Sequence, residues 1–173
     1  MAVRHYPVEL EGDIALAGGV RLPVRPIRPD DAPLVTRFFD GLSERSRYQR
    51  FMQHLRALPP AMLARLTTLD YQRELALVVL DPAGREFVAV GRYAPSVDDA
   101  NAEFALTVAD AWQAKGIGRI LLERLCDCAR HAGYTALYGR VLDENKEMLE
   151  LAARLGFVAH SRDGAQLVVV RHL

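Results

Sequence analysis

The chain has 173 residues, half of them hydrophobic and a quarter charged, a balance that fits one soluble globular domain with room for a sizeable core. Lys plus Arg equals Asp plus Glu at 22 each, so the formal net charge is zero and a broad electrostatic footprint for nucleic acid is not expected. No apolar run approaches the roughly 20 residues needed to cross a bilayer, and Met1 to Leu10 carries charge and a proline where a signal peptide needs unbroken apolar sequence.

Without an internal repeat, low-complexity tract or linker, residues 1–173 read as a single domain. Asp13 to Leu16, the turn Ala17-Gly18-Gly19 and Val20 to Ile27 predict a hairpin over 13–27. Pro29-Asp30-Asp31 starts a helix whose apolar face carries Leu34, Val35, Phe38 and Phe39. Ser43 to Phe51 is a short arginine-rich helical segment, and another helix begins near Pro59-Pro60 with Met62, Leu63 and Leu66 on one side. Three strands are expected next: Glu74 to Leu80, Phe87 to Tyr93 and Ala102 to Val108. The last alternates, with Phe104, Leu106 and Val108 facing one way and Glu103, Ala105 and Thr107 the other.

The period then changes. From Gly116 to Ala132 a helical stripe is formed by Ile117, Leu121, Leu125, Cys128 and Ala132. The only cysteines, Cys126 and Cys128, fall in this helix about 200° apart around its axis, so two buried reduced thiols in a cytoplasmic protein are expected rather than a disulfide. The five histidines are scattered without ligand spacing, so no metal site is expected. A strand over Thr135 to Val141, a helix over Glu144 to Leu155 closed by Gly156, and strands at Phe157 to Ala159 and Leu167 to Val170 complete the pattern. Antiparallel strands followed by a β-α-β-α-β half define an α+β domain around one mixed sheet.

Gln113-Ala114-Lys115-Gly116-Ile117-Gly118 joins a strand to a helix and suits an anion. Backbone N–H groups and the positive helix end face it, glycines let it come close, and Lys115 and Arg119 add charge. It is not a Walker A loop, because no Gly-Lys-Ser/Thr follows, and it lacks the third glycine of the dinucleotide fingerprint. The spacing Gln113-x-x-Gly116-x-Gly118 after a strand, with Asn145 and Leu155-Gly156-Phe157 downstream, resembles the acyl-CoA motif of the GCN5-related N-acetyltransferase (GNAT) superfamily. The element order from Val20 to Val170 resembles that fold too. Arg25-Pro26-Ile27-Arg28-Pro29-Asp30-Asp31, Leu42-Ser43, Ser46-Arg47-Tyr48, Arg50-Phe51 and Ala102-Glu103-Phe104-Ala105 look like the acetyltransferase domain of bacterial Pat-type protein lysine acetyltransferases.

The resemblance implies an acyl-CoA core over 102–160, acetyl-CoA as co-substrate and no metal. By position, the backbone of Leu106, Thr107 and Val108 pairs with pantetheine. Gln113, Ala114, Lys115, Gly116, Ile117, Gly118 and Arg119 hold the pyrophosphate, and Asn145 and Met148 lie near the arm or the adenosine. Met148 equally suits the core, and Trp112 reads as a packing residue. A lysine ammonium, with a reference pKa near ~10.4, must lose its proton before attacking the thioester, and Glu103 is the candidate base. Glu74 and Glu86 are weaker candidates. The Val108 N–H is a candidate oxyanion donor. Many superfamily members place a tyrosine acid at the position of Ala152, so here water protonates the thiolate or it leaves unprotonated; Tyr134 and Tyr138 cannot be placed from sequence. Arg45, Arg47 and Arg50 either hold an acidic face of a protein substrate or sit on a solvated helix. The expected acceptor is a protein lysine or a small amine, without nucleic acid or membrane, and a homodimer stays open. A non-catalytic acyl-CoA sensor is the rival from another class. Pat-type proteins often carry a further regulatory domain, for which 173 residues leave no length.

Overall fold

The strand-forming runs of the first half pair with their sequence neighbours, so the sheet grows as an antiparallel meander. The computed structural model describes residues 5–173; Met1–Arg4, part of the segment read above for a signal peptide, lie outside the described residues. Strands β1 (Gly12–Ala15) and β2 (Arg21–Pro26) form the expected hairpin. They are followed in the sheet by β3 (Leu75–Leu80), β4 (Phe87–Pro95) and β5 (Asn101–Val108), each antiparallel to the one before. Every residue of β3 is buried, which explains why its sequence is a continuous apolar run instead of an alternation.

Between β2 and β3 three helices cover one face: α1 (Ala32–Gly41), α2 (Glu44–Phe51) and α3 (Pro60–Thr67). Under α1 and α3 lies a cluster of Ile27, Val35, Leu69, Ala76, Val78, Leu80 and Phe87. A paired charge braces the entry to α1. Arg25 grips Asp31 through two hydrogen bonds of 2.7 and 2.8 Å, and Asp31 also accepts the Arg28 N–H at 2.7 Å. This accounts structurally for the Arg25-to-Asp31 motif, since a buried carboxylate needs such partners.

The opposite face is covered by α4 (Ile117–His131) and α5 (Lys146–Arg154), with β6 (Ala136–Leu142) between them in sequence. The buried face of α4 is Ile117, Leu121, Leu122, Leu125, Cys126 and Ala129. Each fully buried leucine there contributes about 1.5–3 kcal/mol. The expected stripe is corrected in part: Cys128 is half-buried at its edge and Ala132 is exposed beyond the helix end, because the buried arc is centred on Leu125 and Ala129. Burial raises the pKa of both thiols, Cys128 to about 11.

The sheet order is β1-β2-β3-β4-β5-β6-β8-β7, where β7 is Val158–Asp163 and β8 is Gln166–His172. The last strand therefore inserts beside β6, antiparallel, and β7 takes the edge. The β-α-β-α-β order of the second half forms as expected, as β5, α4, β6, α5 and β7, but among the described strands only β5 and β6 run parallel. Hydrophobicity decides the swap. Leu167 to Val170 is apolar, whereas β7 is exposed along its whole length and carries His160, Ser161, Arg162 and Asp163.

Candidate functional site

The parallel pair β5–β6 separates soon after it begins. Pairing covers only Asn101, Ala102 and Glu103 against Ala136, Leu137 and Tyr138, although β5 continues to Val108 and β6 to Leu142. The Phe104 ring, 5.2 Å from Phe157, lies where a β-carbon on Gly139 would be, so glycine at 139 lets the ring sit in the opening. Ala109 donates its N–H to Val88 of β4 at 2.8 Å. Because antiparallel amides alternate in direction, the Thr107 N–H also points to β4, while those of Leu106 and Val108 point into the opening. Of these three backbone positions, Leu106 and Val108 thus turn their N–H groups into the opening while Thr107 turns its N–H to β4 and buries its side chain.

A cleft of about 790 Å³ fills this opening and continues to the amino end of α4. Its wall includes Glu103 to Val108, Ala114, Gly116 to Arg119, Asn145 and Met148. The loop curls because Ala114 and Gly116 both adopt positive φ, 59° and 85°; for alanine that conformation costs about 1 kcal/mol. Among the described residues no side chain caps α4, so its first N–H groups stand unshared at the cleft wall, the arrangement that favours an anion.

Several expected loop roles change with the coordinates. Lys115 is exposed and stands outside the cleft wall. Arg119 lines the cleft, but its guanidinium also pairs with Glu123 at 3.4 Å. Gln113 turns inward, donating from Nε2 to the Val108 carbonyl at 3.0 Å, so it shapes the end of β5. Asn145 accepts the Met148 N–H at 3.2 Å and caps α5 while lining the cleft. Met148 and Trp112 are half-buried, packed against the core on one side and open to the cleft on the other.

Helix α2 is tied to this loop by a side chain that sequence reasoning missed. Asp110 accepts from the Ser43 N–H at 3.1 Å, from Ser43 Oγ at 2.8 Å and from Ser46 Oγ at 3.1 Å. A Leu42-Ser43 and Ser46 pair at the start of a helix was the available signal, since the N-cap spacing was visible. Burial alone would raise the Asp110 carboxyl, but these hydrogen bonds outweigh it and hold it below its ordinary value. A depressed carboxylate pKa contributes stability at higher pH that is lost as pH falls through it, so this tie should weaken below the reference value of about 3.9. Asp110→Ala should destabilise the fold by on the order of 1 kcal/mol and speed amide hydrogen exchange in α2 before the sheet, measured by mass spectrometry.

Glu103 is the last β5 residue paired with β6, and its carboxylate opens into the cleft. Tyr138, directly across, donates its hydroxyl to Oε2 at 3.2 Å, and Arg140 Nε stands 3.8 Å from Oε1. Burial first, and then the Glu103 charge, raise the Tyr138 pKa, so its phenol stays a donor. The carboxylate is thus held at the mouth of the splay with side-chain exposure of 42%, accessible to substrate. Glu86 is bound to Arg37 at 3.0 Å away from the cleft, and Glu74 does not line it. Position 152 offers only a buried methyl group.

The three arginines of α2 separate by role. Arg47 donates to the carbonyls of Phe39 and Asp40 at 3.2 and 3.0 Å, closing the end of α1, so it is not available to an acidic partner. Arg50 is directed into the cleft and Arg45 alone is exposed.

A sheet that opens between two parallel strands, with an uncapped helix end and a carboxylate in the same cleft, has the architecture of an acyltransferase. Residues 21–158 match the family model described as "Acetyltransferase (GNAT) domain", and the chain belongs to that family. It is 32% identical over 170 residues to acetyltransferase PA5475 of Pseudomonas aeruginosa, covering 95% of this chain and 91% of that one. It is 33% identical over 139 residues to the acetyltransferase Pat of Mycolicibacterium smegmatis, covering 78% of this chain and 40% of Pat. The GNAT domain of S. lividans PAT superimposes with a TM-score of 0.91 at 29% identity, over 98% of this chain and 100% of that one. The chain is accordingly an acetyl-CoA-dependent acetyltransferase with a mixed, mostly antiparallel eight-stranded sheet. Among the described residues no helix is long and apolar enough to cross a membrane.

Proposed function

We propose that the acceptor is the side-chain amine of a protein lysine and that Glu103 is the general base. The observation that carries this reading is the place of Glu103: last paired residue before the splay, open to the cleft and oriented by Tyr138. The unshared N–H groups of Ile117, Gly118 and Arg119, with the curled strap of Ala114 and Gly116 before them, hold the pyrophosphate. The N–H groups of Leu106 and Val108 meet the pantetheine arm in the gap left by β6, and Val108 is placed to donate to the oxyanion. Glu103 takes the ammonium proton, directly or through one water, as nitrogen bonds to the carbonyl carbon. The C–S bond then breaks toward a thiolate whose reference pKa near ~8.5 makes it a fair leaving group without a side-chain acid. Lysine as the acceptor is supported by the Pat-type likeness around Arg25 to Asp31 and Ala102 to Ala105 and by the identity to Pat.

The purified protein should be incubated with acetyl-labelled CoA thioester, a bacterial protein extract and a set of small amines. Label on lysine side chains, mapped by peptide mass spectrometry, is the expected result. Label confined to small amines moves the acceptor class to those amines. Tight CoA binding with no transfer to either class would make the chain a sensor instead of a transferase.

A further inference from the structure

The stretch of sheet formed by β6, β8 and β7 is covered on one face only. Residues paired across neighbouring strands share a face, so Glu103, Tyr138, Val170 and Val158 make one row across β5, β6, β8 and β7. Arg140 and Val168 stand in the next row. On the opposite face Leu137, Val141 and Val169 are buried. On this one Tyr138, Val168 and Val170 are half-buried, Arg140 is exposed, and Val158 is 69% exposed. Val158, Val168 and Val170 belong to neither hydrophobic cluster. An antiparallel strand with one solvent-facing side ordinarily alternates apolar and polar residues, yet β8 is apolar from Leu167 to Val170. Three adjacent valines on the open side make a patch, and a patch, unlike single exposed residues, marks a binding surface.

Its position decides what it binds. The row starts at Glu103, the carboxylate proposed to take the proton. On the other flank of Glu103 the cleft is walled by Gln49, Arg50 and Phe51 of α2. A polypeptide whose lysine reaches Glu103 therefore rests its neighbouring residues on the open face. Charge agrees with that occupant. Glu103 and Asp163 share the guanidinium of Arg140, which stands 3.8 and 3.9 Å from them, so one carboxylate is left for an ammonium. Spacing agrees as well. Strands lie about 4.8 Å apart, which puts Val170 about 10 Å and Val158 about 14 Å along the row from Glu103. An extended segment rises about 3.3 Å per residue and turns alternate side chains to one side. With its lysine turned down to Glu103, the side chains two and four residues further on also turn down, about 7 and 13 Å away. The second meets Tyr138 and Val170, and the fourth meets Val158.

We propose that the open face of β6, β8 and β7 docks the extended segment of a protein substrate that carries the acceptor lysine. Apolar side chains at the second and fourth positions on one side of that lysine sit on Val170 and Val158. The docking rests on the reading of Glu103 as base and of lysine as acceptor.

The full chain is tested with acetyl-CoA and short synthetic peptides, blocked at the amino end, with one central lysine among alanines and glycines. Release of free CoA gives kcat/KM. On one side of the lysine, leucine at the second or at the fourth position should each raise kcat/KM about fivefold, mainly through KM, for an apolar side chain half removed from water. Leucine at the first or third position, which turns away, should not. Val158→Glu should cancel the gain of the fourth leucine and keep that of the second, and Val170→Thr should do the reverse. Val158 is exposed and outside both clusters, so its substitution spares the fold and decides. Equal kcat/KM for leucine and plain peptides, or a fourth-position gain that survives Val158→Glu, overturns the docking while lysine acetylation persists. A native dimer that Val158→Glu turns into a monomer, read by light scattering, gives the face to a second copy and overturns it too. Acetylation of small amines with none on any peptide lysine sinks the lysine reading, and the docking with it.

Discussion

Glu103→Gln should lower kcat for acetyl transfer by about 10²–10⁴-fold while leaving acetyl-CoA affinity nearly unchanged, the loss associated with removing a positioned base. The substitution keeps the shape of the side chain and an oxygen to accept from Tyr138, whose hydroxyl is 3.2 Å from Oε2 in the native site. It removes the ability to take a proton from an ammonium whose pKa lies near ~10.4. The part of the cleft proposed to hold the donor, the start of α4 and the amides of Leu106 and Val108, does not include this carboxylate. Release of free CoA followed with a thiol reagent gives kcat, and calorimetry gives the affinity. A variant that keeps more than a tenth of native turnover would sink the assignment of Glu103 as base.

Gly139→Ala should destabilise the protein by about 1–3 kcal/mol, the usual cost of overpacking a filled core. The added methyl would meet the Phe104 ring, and that ring cannot retreat freely because Phe157 lies edge-on 5.2 Å away. At this chain length each kcal/mol lowers Tm by about 2–4 °C. The effect should not end at stability. Phe104 follows Glu103, the last β5 residue paired to β6, so displacing its ring shifts the opening into which Leu106 and Val108 point. Acetyl-CoA affinity should therefore fall together with Tm, and differential scanning calorimetry beside a binding titration checks both. A variant as stable as the native chain would show that the ring has somewhere to go.

Most elements were readable because their physics is local. The alternation Phe104-x-Leu106 against Glu103-x-Ala105 set Glu103 on the face opposite Phe104 and Leu106, and the burial of β5 follows it from Asn101 to Leu106 but breaks at the end, where Thr107 is buried and Val108 only half-buried. The glycines at 116 and 118 marked a close approach at the start of α4, and Gly116 does adopt positive φ there. Harder to read was the last third. Strand periodicity shows that a segment is extended, yet it carries no information on which neighbour the segment will pair with. The insertion of β8 between β6 and β7 was invisible for that reason. The roles of the long polar side chains were equally hidden. Nothing local distinguishes Arg47, which closes α1, from Arg50, which enters the cleft, although three residues separate them on one helix.

By itself, then, the sequence determined the helices and strands, the loop before α4 and the residue types available to it, because period, capping and glycine placement act within a few residues. Only the tertiary structure decided where β5 and β6 part, that Asp110 fastens α2 to the loop, and that Tyr138 meets Glu103. It also decided that Val158 and Val170 share one row of the sheet with Glu103. Each of these joins residues far apart in the chain, and their distance is set by how two packed faces fill space around one sheet.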